Sequence, residues 1–221
     1  MKTGRIPLWL KVAYTAFVAV LVPYYWRTYG PVNFLWFCDI ALLVTLPALW
    51  LENAFLFSMQ AVAIVLPQLL WVVDFTGRLA GLHLVGAAAY MFDSTIPLFV
   101  RGLSSFHGWL PLLLIWAVWR LGYDRRAFPA QTACALVVLS VCYFFTPAPP
   151  APASNPTAAV NLNWVFGPGE NTIQTWMAPG WYFVLQLAFW PVVIYLPTQW
   201  AFKKWMPQRV EGRRENAAGV T

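Results

Sequence analysis

Residues 104–120 read SSFHGWLPLLLIWAVWR, an apolar run that carries His107 near its start and no other charge-bearing side chain before its final arginine. A second run, NFLWFCDIALLVTLPALW at 33–50, carries Cys38 and Asp39 near its start in the same way. Runs of this length with so few charges predict helices that cross a membrane. Ionisable groups inside such helices are costly and usually face a bundle interior or a water-filled cavity. The two stretches therefore predict the fold and also where a functional site would lie.

The composition of the whole chain agrees with these two stretches. Hydrophobic residues make up 60% of the 221 residues and charged residues only 10%, and the mean hydropathy is +0.60. A soluble domain cannot cover its surface with so few charges. The sequence predicts an all-α, polytopic transmembrane helix bundle. The net charge of +6 does not indicate a nucleic-acid partner, because the basic residues lie in short loops and at the ends, where they set topology.

The apolar runs predict about seven membrane spans, with six as the alternative. No cleavage site for a signal peptide follows the first run, so we expect that run to be a retained helix. The fourth run is the shortest, and a re-entrant piece or fusion with the fifth run is also open there. The predicted spans are 8–26, 32–51, 54–73, 79–92, 97–121, 128–145 and 180–202. We expect one transmembrane domain over 1–205 and a polar cytoplasmic tail over 206–221.

The basic residues predict the orientation of the chain. In a seven-span topology ten Lys and Arg residues fall on the side of the C-terminus and four on the side of the N-terminus. This predicts a cytoplasmic C-terminus and an external N-terminus, whereas six spans would place both ends inside. The connection 146–179 contains no Lys or Arg and is expected to be extracytoplasmic. It begins with a Pro/Ala spacer, and its second half has the composition of an ordered loop that folds back on the bundle.

Several polar residues within or beside the apolar runs are candidates for a site, and each has a structural alternative. Cys38 is either a small buried hydrophobe or a reactive thiol, and Asp39 beside it needs a partner. His107 is either a hydrogen-bonded helix contact or a general base whose ring the Ser104 hydroxyl, three residues earlier, would orient. The remaining three candidates are interpreted as a close-packing position and two caps at span ends: His83, Asp74 and Asp93.

The sequence gives no positive indication of a metal or an organic cofactor. The three cysteines, Cys38, Cys134 and Cys142, form no CxxC or Cys/His spacing, which argues against a structural zinc or a disulfide framework. Two histidines on neighbouring helices would be needed to hold a haem, and nothing else supports that. The common motifs of serine hydrolases, P-loop proteins, zinc proteases and dinucleotide-binding proteins are missing.

The order of these features resembles that of YwaF-type bacterial membrane proteins. The similarity covers roughly 32–205 and is carried by NFLWFCDIALL, PQLLWVVDF, the SSFHG helix, NLNWVFGP and the last span that opens with PGWYFVLQLAFW. The chain is more distantly similar to the androgen-induced-gene membrane hydrolases and cysteine-dependent lipid acyltransferases of animals. The resemblance implies a bacterial inner-membrane protein that acts on membrane lipids. By position, it implies Cys38 as nucleophile and His107 as base.

The chemistry of such a pair is an acyl transfer through a thioester. It also needs donors for the developing oxyanion, and the amides we would nominate are Asn33, Asn161 and Asn163. The seven-span topology places Cys38 ~9 Å and His107 ~21 Å from the inner ends of their helices at 1.5 Å per residue. That topology therefore predicts a separation in depth of ~12 Å, which is too large for direct contact.

Two other classes of function stay open at this point. The high aromatic content with few charges inside the spans is also typical of a non-enzymatic membrane subunit that packs against a partner complex or binds a lipid or pigment. A transporter is the third class, and it lacks the broken-helix pairs and the charged pathway expected of one.

Overall fold

The computed structural model describes residues 5–155, 157–169 and 172–209, and this part of the chain is helical with no strand. The α-helices of the described residues are α1 (Leu8–Tyr29), α2 (Phe37–Leu51), α3 (Ala54–Leu79), α4 (Leu98–Ser104), α5 (Phe106–Leu121), α6 (Ala127–Phe145), α7 (Pro179–Phe189) and α8 (Leu196–Trp205). Counting α4–α5 and α7–α8 as continuous, five helices are long and apolar enough to cross a membrane. The shorter α2 is a sixth apolar helix.

The predicted span at 79–92 is not a helix, so that prediction is wrong. Gly81 and Gly86 have φ values of +79° and +90°, a backbone conformation that glycine adopts without strain and that ends a helix. The buried Asp74 carboxylate accepts hydrogen bonds from the backbone N–H groups of Val85, Gly86 and Ala88. These bonds fix the segment as a turn that follows α3. Asp74 is therefore a buried anchor for this turn and not an interface cap at the end of a span.

Polar contacts define one end of the bundle, which we call the basic face: residues 5–11, the α2–α3 turn, the α5–α6 turn and residues 203–209. Glu52 in the α2–α3 turn accepts from the N–H groups of Arg5 and Ile6 and pairs with Lys11 at 2.9 Å. At the α5–α6 turn the Tyr123 N–H donates to the Pro207 carbonyl, and the Arg209 N–H donates to the Tyr123 carbonyl. The opposite end, the cavity face, comprises residues 30–36, 80–97, 146–155, 157–169 and 172–178.

This arrangement corrects the predicted topology. Residues 5–7 and 206–209 lie on the same face, as in the six-span alternative, and not on opposite faces. Because the segment 79–92 does not cross the bundle, α2 and α5 run in the same direction, from the cavity face to the basic face. Residues 1–4 and most of the predicted tail, 210–221, lie outside the described residues.

The helix α3 forms the centre of the bundle and packs against α2, α5, α6 and α8. Small buried residues such as Ala61 and Ala63 let these neighbours approach closely. The outside of the bundle instead exposes large apolar side chains, for example Leu112, Trp119 and Val137. A continuous apolar exterior of this kind is typical of a surface that contacts lipid.

The last helix contains a π-helical segment at Trp190–Tyr195, between α7 and α8. Pro191 lies in this segment and has no N–H to donate, so the regular hydrogen-bond ladder is interrupted there. Trp190 is buried at this point and faces the cavity described below.

The second half of the long connection folds back on the bundle, as its composition predicts. The Asn163 side chain accepts from the Phe37 N–H at 3.0 Å and donates to the Leu35 carbonyl at 2.8 Å. Asn163 thereby caps the first turn of α2 and fixes the loop over the cavity face.

Candidate functional site

A cavity of about 440 Å³ opens at the cavity face between α2, α3 and α5. Its walls include six of the seven residues that the sequence nominated for a site: Asn33, Cys38, Asp39, Ser104, His107 and Asn163. The seventh, Asn161, is not among the described residues that line it. The structure thus brings these six residues to one place, although their roles are not decided by position alone.

Cys38 and His107 lie at the same depth, which removes the separation that the seven-span topology predicts. Both helices end at the basic face, Cys38 about 20 Å before the end of α2 and His107 about 21 Å before the end of α5, at 1.5 Å per residue. The wrong direction of α2 relative to α5 caused the discrepancy. Among the described residues no hydrogen bond joins the half-buried thiol to the imidazole, and the two face the cavity from different helices.

The ring of His107 has a defined orientation and a defined proton. Its Nδ1 lies 2.8 Å from the Ser104 carbonyl oxygen. A carbonyl oxygen only accepts, so Nδ1 carries the proton and Nε2 of the neutral ring is left as the basic nitrogen. The ring also stacks on Trp71 with centroids 5.5 Å apart.

Ser104 contacts the His107 ring, as predicted, but not through its hydroxyl. Its backbone carbonyl, and not its hydroxyl, holds His107. The hydroxyl instead lies 2.8 Å from the Tyr25 hydroxyl in a buried contact between α4 and α1.

Asp39 is a buried carboxylate with one partner. The Asn33 amide donates to Oδ2 at 2.9 Å, whereas Oδ1 has no hydrogen-bond partner among the described residues. The side chain is only 3% exposed and lies in the first turn of α2, where the helix dipole favours negative charge. The Asn33 side-chain amide is therefore hydrogen-bonded to Asp39 and is not a free donor for an oxyanion.

The other two amides nominated for an oxyanion site are committed to the loop. Asn163 is bonded to the start of α2, and its amide also lies 3.5 Å from the Cys142 sulfur. Asn161 donates to the carbonyls of Gly167 and Gly169. These nominations are wrong, because both amides stabilise the loop.

Sequence reasoning missed three residues that line the cavity and have unpartnered polar groups. Gln68, Trp71 and Trp190 line it, and the Gln68 amide and both indole N–H groups have no hydrogen-bond partner among the described residues. Gln68 is a buried amide within the apolar α3, and a search that included amides as well as ionisable residues would have found it. The tryptophans carry no such signal, because the sequence analysis assigned them to membrane interfaces or to packing between helices.

The remaining candidates lie away from the cavity. His83 is exposed in the turn after α3, which excludes the predicted close-packing role. Asp93 is exposed and accepts from Thr95, as expected of a cap. In the described ranges the three cysteines are free, and no group of three His, Cys, Asp or Glu side chains is arranged to hold a metal ion.

Comparison with known proteins gives no relative from which a role could be transferred. The chain matches no protein-family model, and no curated protein or solved structure is significantly similar to it. The resemblance to YwaF-type proteins therefore stays a prediction.

Proposed function

We propose that this protein binds a membrane lipid in the cavity and hydrolyses or transfers its acyl chain, with Cys38 as the nucleophile and His107 as the base. The observation that carries the proposal is the shared cavity. A thiol on α2 and an oriented imidazole on α5, far apart in sequence, line one space at one depth.

The reaction follows from these two groups. His107 Nε2 takes the thiol proton as Sγ attacks the ester carbonyl carbon, and the resulting imidazolium returns that proton to the departing alkoxide. A thioester on Cys38 and a free alcohol result. Water or a lysolipid hydroxyl then attacks the thioester carbonyl carbon while Nε2 takes its proton. The C–S bond breaks, the imidazolium returns the proton to the leaving thiolate, and the acyl group leaves as a free fatty acid or a new ester.

The oxyanion formed in both steps needs hydrogen-bond donors. The Gln68 amide and the Trp71 indole N–H are unpartnered among the described residues, and Trp71 stacks directly on His107. We assign the oxyanion to these two donors in place of the asparagines.

The cavity has the character of a lipid site. Its volume is in the range of small-molecule pockets, about 300–1,000 Å³. Apolar side chains such as Ile64, Pro67, Ile96 and Val100 line it beside the polar groups. An acyl ester would place its hydrocarbon chain against the apolar side chains and its carbonyl against the polar groups.

The proposal includes an orientation in the membrane. Of the described Lys and Arg residues, eight lie on the basic face or in the last helical turn beside it (Arg5, Lys11, Arg120, Arg125, Arg126, Lys203, Lys204 and Arg209), and three lie in helical turns near the cavity face (Arg27, Arg78 and Arg101). This asymmetry favours a six-span inner-membrane protein with the basic face and the C-terminus in the cytoplasm. The cavity and the loop 146–179 would then face outward.

An activated-ester lipid probe tests the proposal. Purified protein in detergent is incubated with the probe, and labelling is compared between wild type, Cys38→Ala, His107→Ala and the matched control Cys134→Ala, which removes a thiol outside the cavity. Labelling that is lost in the first two variants and kept in the third supports the pair. Equal labelling in all four contradicts it.

A second candidate function is a non-enzymatic subunit that holds a lipid or another amphiphile for a partner complex. It is favoured by the missing hydrogen bond between Cys38 and His107 in the described structure. In that case the protein binds lipid in the cavity, and neither Cys38→Ala nor His107→Ala changes covalent labelling by the probe.

A further inference from the structure

We propose that the polar end of the cavity recognises a positively charged headgroup, an amine or a quaternary ammonium, with Asp39 as its counter-ion and aromatic rings as its walls. The inference rests on the proposed function only in taking the cavity as the lipid site. It holds whether or not Cys38 reacts.

The first argument concerns charge. Among the described residues that line the cavity, Asp39 is the one acidic residue, and none is a Lys or Arg. Its Oδ1 is without a partner in the described part of the chain, and its side chain is 3% exposed. Burying a carboxylate without a counter-charge is costly, so a cationic ligand in the cavity would offset that cost.

His107 lines the same cavity and is the other group that could carry a positive charge there. Its Nδ1 proton is directed to the Ser104 carbonyl at 2.8 Å and not to Asp39. Asp39 is instead bonded to a neutral amide, that of Asn33. Among the described residues no cationic group pairs with Asp39, so a ligand would have to supply the counter-charge that keeps this carboxyl ionised.

The second argument concerns the walls. About a third of the lining residues are Phe, Tyr or Trp, and they include Tyr25, Tyr29, Trp36, Trp71, Trp164 and Trp190. Trp36 meets Trp164 at 73° with centroids 6.4 Å apart, and Trp164 stacks on Trp190 at 15° and 6.4 Å. Rings set at large angles to one another form the corner of a cage, the arrangement that binds quaternary ammonium groups through cation–π contacts.

Anionic headgroups fit this lining poorly. Recognition of a phosphate or carboxylate usually depends on Arg or Lys, and neither is present in the lining. The free donors are neutral N–H groups, which suit an ester carbonyl or the phosphate of a zwitterionic lipid. The ligand class is therefore an amphiphile with a cationic end.

A bound cation would also assist the proposed reaction. Cys38 and Asp39 are consecutive, so a thiolate forms close to a carboxylate that repels it. A cation on Asp39 removes that repulsion and joins the helix N-terminus in stabilising negative charge at Cys38. Headgroup recognition and nucleophile activation would then be coupled.

The experiment measures binding without turnover, in Cys38→Ala protein in alkyl-maltoside micelles, by equilibrium dialysis. The probes are octanoylcholine and 3,3-dimethylbutyl octanoate, which replaces the charged nitrogen by carbon and keeps the shape. We expect octanoylcholine to bind at least about tenfold more tightly. Octylammonium is the third probe: binding by it shows that a primary amine suffices, and its exclusion indicates a quaternary headgroup.

Two sets of variants complete the test. Asp39→Asn should weaken the binding of octanoylcholine about tenfold or more and leave the binding of the uncharged isostere unchanged. Asp93→Asn, which changes an exposed carboxylate on the same face, should change the binding of neither probe.

Trp36→Leu should weaken the binding of octanoylcholine several-fold, and Trp36→Phe should restore it. This pair keeps the proposal testable where Asp39→Asn does not fold. Equal affinity for both esters, or cation binding unaffected by the Asp39 and Trp36 variants, overturns the proposal. Because lipid-probe labelling of wild type is measured separately, either proposal can fail while the other stands.

Discussion

Asp124 shows at the scale of a single residue how the basic face is held together. It lies in the turn between α5 and α6, with its side chain 4% exposed, and accepts from Arg126 at 2.8 Å and from Arg209 at 3.0 Å. The hydrogen bonds from the Arg126 guanidinium, with smaller help from the charge of Arg209, hold the pKa of Asp124 below its usual range, although burial opposes them. The carboxylate therefore ties the C-terminal end of α8 to the bundle.

The first prediction concerns Asp124→Asn. A carboxylate whose folded-state pKa is lowered stabilises the protein above its unfolded pKa of about 3.9, and this contribution is lost as the pH falls through the folded value. We expect the substitution to cost about 1.5–3 kcal/mol at pH 7, measured as a lower Tm in detergent. The difference from wild type should shrink below about pH 4. Asp93→Asn serves as the control, and a pH-independent difference would contradict the assignment.

The second prediction concerns Ser104→Ala. Because the backbone carbonyl and not the hydroxyl orients His107, covalent labelling by the lipid probe should stay within a few-fold of wild type. Stability should fall by about 1 kcal/mol, since the buried Tyr25 hydroxyl loses its partner. Complete loss of labelling in a folded variant would show that the hydroxyl takes part in the reaction.

Residue identity predicted the ionisable members of the site and the lining amides Asn33 and Asn163, but not Gln68 or the indole groups. Cys38, Asp39 and His107 stand out because ionisable groups are rare within apolar helices. The roles of the asparagines were misjudged, because the groups to which an amide side chain is hydrogen-bonded depend on how the loop folds. Trp190 faces the cavity at a π-helical segment, which residue type alone did not predict.

At the scale of elements, Asn163 joins the loop to α2. Asn163→Ala removes the bonds to Leu35 and Phe37, and we expect limited proteolysis by chymotrypsin within 157–169 to become several-fold faster. Asn155→Ala is the matched control, because Asn155 is exposed and bonds locally to Thr157. Equal cleavage rates in the two variants would show that Asn163 does not hold the loop.

Hydropathy predicted most helices within a few residues, for example 128–145 against the observed Ala127–Phe145. It failed at 79–92, where the residues are apolar but α3 ends at Leu79 and only a short 3₁₀ helix, Ala89–Phe92, follows. That segment is determined by glycines at positive φ and by the Asp74 carboxylate, which satisfies three backbone N–H groups at once. Neither influence is visible to a hydropathy average.

At the scale of the whole molecule, the wrong prediction of a span at 79–92 reversed the direction of the first three predicted spans relative to the later ones. It moved Arg27 and Arg78 to the wrong face and separated Cys38 from His107 in depth. The fold class was predictable from composition, whereas the assembly of the cavity depended on the number of crossings. The number of crossings therefore decided whether Cys38 and His107 line the same cavity.

The topology gives the fourth prediction. Single cysteines at Arg5 and at Gln208 should both be protected from a membrane-impermeant maleimide in intact cells, and a cysteine at Thr157 should be labelled, with Cys38, Cys134 and Cys142 replaced. The expected pattern follows from placing the basic face in the cytoplasm. Labelling at only one of Arg5 and Gln208 would contradict a shared face.

The most direct test of the central claim is mass spectrometry of the protein after reaction with the activated-ester lipid. The account predicts one acyl group on Cys38, released by neutral hydroxylamine as a thioester is, and missing in His107→Ala. An acyl group on another residue, or a Cys38 adduct that forms equally well without His107, would contradict the proposed pair.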